Sequence, residues 1–225
     1  MVNVNGINLY YRQSGQGTPL ILLHGNGENH HIFDLLIHRL AAHFTIYAID
    51  SRNHGQSEKT TDYSYNAMAD DLNAFIDTLN LKNVNIIGFS DGAIIALLLA
   101  LKRQSIINKM VLLGVNLSPN DFTDECYQFI KDSFEVNADP LFKMMLEQPN
   151  IELASLTQIT VPTLIIGAEH DIYKPELFND IASTLPNGSL KIMLGHQHDS
   201  YIVNSDIIYP DLMAFLTQNN DALNR

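Results

Sequence analysis

The sequence predicts an α/β fold, with a mostly parallel central sheet, helices on both faces and a short helical cap insertion. Three observations carry this. Short, largely apolar segments at 20–23, 84–89 and 162–167 alternate with stretches of helical periodicity, the pattern of a sheet covered on both sides. Unusual polar loops at 24–27, 50–57, 90, 169–171 and 195–198 each follow a strand, and in such sheets the site lies beyond the carboxyl ends of the strands. A serine flanked by glycines, Gly88-Phe89-Ser90-Asp91-Gly92, joins an apolar strand directly to a helix-like run.

The elements follow in order. Segments 2–5 and 7–12 flank Gly6 as a hairpin, and a glycine-containing loop leads to the strand 20–23. The segment 32–42 places Phe33, Leu36, Ile37 and Leu40 on one helical face. A strand at 44–49, a polar loop, a helix at 65–79, a strand at 84–89, a helix at 91–103 and a strand at 109–115 come next. The pattern then changes. From 116 to 156 polar and aromatic residues mix, Pro119, Pro140 and Pro149 punctuate, and only short helical pieces appear, at 125–134 and 141–147. Residues 116–156 are therefore expected to form a small cap on a core made of 1–115 and 157–225. A strand at 162–167, a helix at 175–185, a strand at 189–194 and a helix at 201–217 complete the core.

Composition narrows the function classes. The 225 residues carry a formal net charge of −12, which disfavours binding to nucleic acid or to an anionic membrane surface. Cys126 is the single cysteine, so no intrachain disulfide can form. Its neighbours Asp124 and Glu125 oppose a thiolate, which argues against a nucleophilic role. The first residues hold neither a basic nor an apolar leader pattern, and no apolar run is long enough to span a bilayer. The expectation is a soluble cytoplasmic protein; its oligomeric state is open.

Ser90 is the candidate nucleophile. A tight strand-to-helix turn lifts the hydroxyl clear of the backbone, and only small residues two places to either side let strand and helix pass. Chance produces this spacing in many strand–turn–helix units, so the partners decide. A serine hydroxyl needs a base, and the base needs an orienting acid. Acids occur at Glu169 and Asp171, and histidines at His196 and His198.

With these parts in order, the chain resembles the α/β-hydrolase superfamily and is most similar to small bacterial carboxylesterase-like hydrolases. The resemblance rests on His-Gly-Asn-Gly at 24–27, Asp-Ser-Arg-Asn-His-Gly-Gln-Ser at 50–57 and Gly-Phe-Ser-Asp-Gly at 88–92. It continues with Val-Pro-Thr-Leu-Ile-Ile-Gly-Ala-Glu-His-Asp at 161–171 and the closing His-Asp-Ser-Tyr-Ile-Val at 198–203. It implies a Ser-Asp-His triad of Ser90, Asp171 and His198. The loop position favours Asp171 over Glu169. An acid after the preceding strand, as in some relatives, would fall near Asn116, which is neutral. The family's spacing from acid to histidine favours His198 over His196.

The resemblance also implies an oxyanion hole from the backbone N–H groups of Asn26 and Asp91. His30, His31, Phe89 and His196 are candidate pocket residues. Phe122, Tyr127, Phe129, Phe134, Phe142, Met144 and Met145 of the cap are further candidates, though packing of cap on core accounts for most of them. Asp50, Arg52, His54 and Ser57 are expected to brace a turn behind the elbow. His24, His30, His31 and Glu28 lack metal-ligand spacing, and the implied chemistry needs neither metal nor cofactor. The Asp91 side chain either favours substrates with a positive group or sits at a helix N-terminus for the dipole; the second reading is preferred. The expected activity is hydrolysis of a small carboxylic ester through an acyl-enzyme. The alternatives are a C–C bond hydrolase, thioesterase or perhydrolase on the same triad, or a ligand sensor that keeps it.

Overall fold

The computed structural model describes residues 1–218. The chain begins with an antiparallel hairpin, β1 (Val2–Val4) and β2 (Ile7–Leu9), outside the main sheet. The sheet itself takes β3 (Tyr11–Ser14), β4 (Thr18–Leu23), β5 (Phe44–Ile49), β6 (Val84–Phe89), β7 (Ile107–Leu113), β8 (Thr163–His170) and β9 (Gly188–Gln197). Their order is β3-β5-β4-β6-β7-β8-β9. Only β3 pairs antiparallel; every other neighbour is parallel.

Parallel strands need crossovers, and these supply helices to both faces. The central strands are buried on both sides, which is why they read as continuous apolar runs. Within them the faces still alternate. Ile21, Leu23, Ile86, Met110, Leu112 and Ile165 face one core, packed by α2 (Tyr65–Thr78), α3 (Asp91–Arg103) and α6 (Leu177–Thr184). Leu20, Leu22, Ile87, Val111, Leu113 and Ile166 face the other, packed by α1 (Asp34–Leu40) and α7 (Tyr209–Thr217). No helix among the described residues is long and apolar enough to cross a membrane.

Between β7 and β8 the chain forms α4 (Asp124–Asn137) and α5 (Pro140–Glu147). Asp139 caps α5 by accepting from the Leu141 N–H, with Pro140 inside the first turn. Most of α4 is exposed, and of its residues only Ile130 is fully buried.

The last helix is shorter than the periodicity of 201–217 suggests. Residues 201–208 form turns, and α7 starts at Tyr209. Tyr201 and Ile202 are buried as single anchors. Asn204 takes a left-handed φ of 49° and donates its N–H to the Ile32 carbonyl, so a helix cannot run through it. β9 extends past its predicted end. It follows β8 beyond the sheet edge, with Gln197 opposite His170.

Candidate active site

Ser90 sits directly between β6 and α3 with φ 51° and ψ −114°, a conformation that costs about 1–3 kcal/mol. Its backbone is tied on both sides. The Ser90 N–H donates to the Leu113 carbonyl at 2.8 Å, and its own carbonyl accepts from Ala93 at 2.9 Å and Ile94 at 3.1 Å to begin α3. The flanking glycines are required by close approach. A β-carbon on Gly88 would lie 2.3 Å from the Gly92 carbonyl oxygen, and one on Gly92 would lie 2.1 Å from that of Leu23.

Asp171 follows β8 and His198 follows β9, and the two side chains meet at 2.7 Å between His198 Nδ1 and Asp171 Oδ1. Asp171 is fixed by backbone donors, Ile172 N–H to Oδ1 at 2.9 Å and Ala168 N–H to Oδ2 at 3.0 Å. With an ionised Asp171 as acceptor, the proton sits on Nδ1 and leaves Nε2 free to accept. The imidazole is clamped between Phe89, tilted at 5.0 Å, and Tyr173, edge-on at 5.3 Å. Gly114, at φ 54°, makes room for it: a β-carbon there would be 2.5 Å from His198 Cε1.

The rival residues are occupied elsewhere. Glu169 accepts the Gly195 N–H, and His196 pairs with the Ser200 hydroxyl. Asn116 is buried and donates to the Ser118 carbonyl.

The loop after β4 is held from behind. The Ser51 N–H donates to His24 Nε2 at 3.0 Å, so His24 carries its proton on Nδ1 and donates it to the Gly25 carbonyl at 2.8 Å. Burial, with help from His54, holds the imidazole at about 4, so it stays neutral. The Gly25 carbonyl also accepts from the Glu28 N–H at 3.3 Å. Across a trans peptide the Asn26 N–H points the opposite way from that carbonyl.

Asn26 and Asp91 are joined through their side chains. Asn26 Nδ2 donates to Asp91 Oδ2 at 3.1 Å, and the Tyr65 hydroxyl of α2 donates to Oδ1 at 2.7 Å. The Asp91 carboxylate is buried with both oxygens engaged, which favours a bracing role over contact with a cationic substrate. Burial raises its pKa from 3.8 to about 6, against the two hydrogen bonds, which lower it. The native state therefore takes up a proton between about 4 and 6. The stabilising contribution of this proton is full below pH 4 and is lost as pH rises through about 6. Tyr65→Phe removes a donor to the ionised form, so the Asp91 midpoint should move above 6; a carboxyl carbon NMR titration reads this directly.

A cavity of about 480 Å³ opens over Ser90. It is lined by Asn26, Glu28, Phe89, Ser90 and His198, with His170, Ile172, Gln197, Asp199 and the single cap residue Met145. Of the residues singled out as pocket candidates, Phe89 lines it. His30, His31 and His196 do not. His30 is buried and bonded to Asp50 through both its N–H and Nδ1. His31 points outward to Asp34. In the cap, Tyr127 and Phe129 are exposed, whereas Phe122 and Met144 are buried in the core. Asp50, Arg52 and Ser57 brace the turn 50–58. Arg52 forks onto Asp71 at 2.7 and 2.8 Å, and Ser57 Oγ donates to the Asp50 carbonyl. Cys126 is held at about 11 by burial and by Asp171 and Glu125, consistent with an inert thiol.

Three contacts escaped the sequence. Glu28 lines the cavity, Tyr65 supports Asp91, and Tyr173 stands edge-on to the His198 ring. Burial keeps the Tyr173 phenol protonated far into the alkaline range.

Residues 18–139 match the family described as the alpha/beta hydrolase fold, more than half of the chain. The chain belongs to the α/β-hydrolase family. The chain is 35% identical over 239 residues to the human serine hydrolase BPHL, covering 91% of this chain and 81% of that one. A putative esterase/lipase of Haemophilus influenzae is 25% identical, covering 95% and 89%. The AB hydrolase superfamily protein YisY of Bacillus subtilis is 36% identical over 111 residues, covering 48% of this chain and 41% of that protein. The chain thus spans less than half the length of that curated relative. Among solved structures, Est816, described as an N-acyl homoserine lactone degrading enzyme, superposes with a TM-score of 0.79 at 22% identity, covering 95% and 98%. The meta-cleavage product hydrolase CumD of Pseudomonas fluorescens IP01 superposes at 0.80 and 19%, covering 97% and 96%. Identities this low speak to the fold alone.

Proposed function

We propose that this hydrolase cleaves small carboxylic esters through an acyl-enzyme on Ser90. The observation that carries the reading is the 2.7 Å pair of His198 and Asp171, with His198 lining the same cavity as a serine held at a strained strand-to-helix turn. The H. influenzae relative is named a putative esterase/lipase, which supports the bond type.

In this mechanism the substrate carbonyl enters beside Ser90. The Ser90 hydroxyl engages His198 Nε2, a bond that commonly tightens only when substrate is bound. Oγ attacks the carbonyl carbon while Nε2 takes the proton, and Asp171 stabilises the imidazolium. The oxyanion is held by the Asn26 and Asp91 N–H groups, the latter at the N-terminus of α3. Each such donor is typically worth about 3–4 kcal/mol in the transition state. His198 returns the proton to the leaving alcohol, and water repeats the sequence on the acyl-enzyme. Asp91 and Tyr65 act from behind by holding the Asn26 side chain.

Intact-mass analysis after brief exposure to a fluorophosphonate tests the nucleophile. Wild type is expected to gain one adduct and Ser90→Ala none. An unlabelled, well-folded wild type would refute the assignment. Turnover of p-nitrophenyl esters against matched thioesters then tests the bond class.

A further inference from the structure

The cavity over Ser90 is unbalanced in charge. Glu28 and Asp199 line it, and its only cationic candidates are His170 and His198; no lysine or arginine takes part among the described residues. Glu28 lies closest to the chemistry. Its Oε2 accepts the Gly25 N–H at 2.8 Å. A β-carbon on Gly25 would sit 2.8 Å from that oxygen and 3.1 Å from Ser90 Cβ, so carboxylate and nucleophile flank one α-carbon. Among the described residues no donor reaches Oε1. The acyl-enzyme mechanism gives neither acid a task.

We propose that Glu28, backed by Asp199, is a specificity-determining residue that excludes carboxylate-bearing substrates from this pocket. The inference rests on the esterase reading and names its substrate class: esters whose acyl and alcohol parts carry no negative charge. The physical ground is like-charge repulsion at a part-buried carboxylate, with no lysine or arginine in the lining to compensate. The groups facing the Glu28 carboxyl are the Gly25 N–H and His198, which favour its charge, and Asp91 and Asp199, which oppose it. Burial is the largest influence and holds the carboxyl up to about 7. The exclusion is therefore strong above pH 7 and fades below it.

The test compares p-nitrophenyl hexanoate with the mono-p-nitrophenyl ester of adipic acid, an acyl chain of equal length ending in a carboxylate. That carboxylate stays ionised at both pH 6 and pH 8. The ratio of the two kcat/KM values cancels the titration of His198 and any effect of Glu28 on the oxyanion. At pH 8 wild type should prefer the hexanoate by about 10- to 100-fold. The ratio should narrow several-fold at pH 6, and Glu28→Gln should narrow it at pH 8, since its amide oxygen still accepts from Gly25. Asp199→Asn should narrow it less. A ratio unmoved by pH and by Glu28→Gln would overturn the proposal. If Glu28→Gln does not fold, the pH dependence of the wild-type ratio decides. No turnover of the hexanoate by wild type would instead sink the esterase reading.

Discussion

Asp171→Asn should lower kcat on a short-chain ester by about 10⁴-fold while leaving the fold intact. The reason lies in the donors around the carboxylate. Oδ1 accepts from His198 Nδ1 and the Ile172 N–H, and Oδ2 accepts from the Ala168 N–H. An asparagine has one acceptor oxygen for these two positions. If the oxygen faces His198, the amide NH₂ collides with the Ala168 N–H. If it faces Ala168, the NH₂ points at Nδ1 and forces the proton onto Nε2, where it blocks uptake from Ser90. Single-turnover kinetics with a fluorogenic ester, beside a melting curve, separates the two costs. A kcat within 10-fold of wild type would remove Asp171 from the orienting role.

Gly92→Ala should be the most damaging single methyl group in the core. The added carbon would lie 2.1 Å from the Leu23 carbonyl oxygen and 2.7 Å from Leu23 Cβ. Two of its three nearest atoms are backbone atoms of β4, which β5 and β6 hold from either side. Neither can yield by a rotamer change, so α3 must move off the sheet and take Ser90 with it. Overpacking of this kind costs about 3 kcal/mol or more. In a domain of this size that lowers Tm by roughly 6–12 °C. Calorimetry and fluorophosphonate labelling should both register the change; a variant with native Tm and labelling rate would show that the elbow has slack.

Much of the architecture was legible because its causes are local. The strands at 44–49 and 84–89 and the helix at 91–103 end where their patterns end. Apolar residues on both faces, a strained serine and a dipole-compatible Asp91 are all written within a few positions. Loop position favours Asp171 over Glu169 and family spacing favours His198 over His196, and the side chains meet in that pairing. What stayed hidden depends on distant partners. Tyr65 reaches Asp91 across 26 residues and Asn26 reaches it across 65, separations at which no periodicity survives. His30 and His31 looked alike in the sequence. One is buried against Asp50 and the other exposed beside Asp34, a difference set by the direction of a single turn of 3₁₀ helix. The end of β9 carries no apolar pattern, because its largely exposed last residues pair only with the exposed end of β8.

The cavity draws a single side chain, Met145, from the segment between β7 and β8; every other residue lining it belongs to loops or strand ends of the sheet. Heredity can therefore treat the two parts separately. Changes at exposed positions of α4 and α5 would alter the approach to the pocket beside Met145 while leaving the strand ends that carry the nucleophile untouched. The reactive geometry, spread over the ends of four strands, can be inherited as a block. A lineage of such chains would keep one chemistry while sampling many customers, and the record of that sampling would be written in the most variable stretch of its sequences.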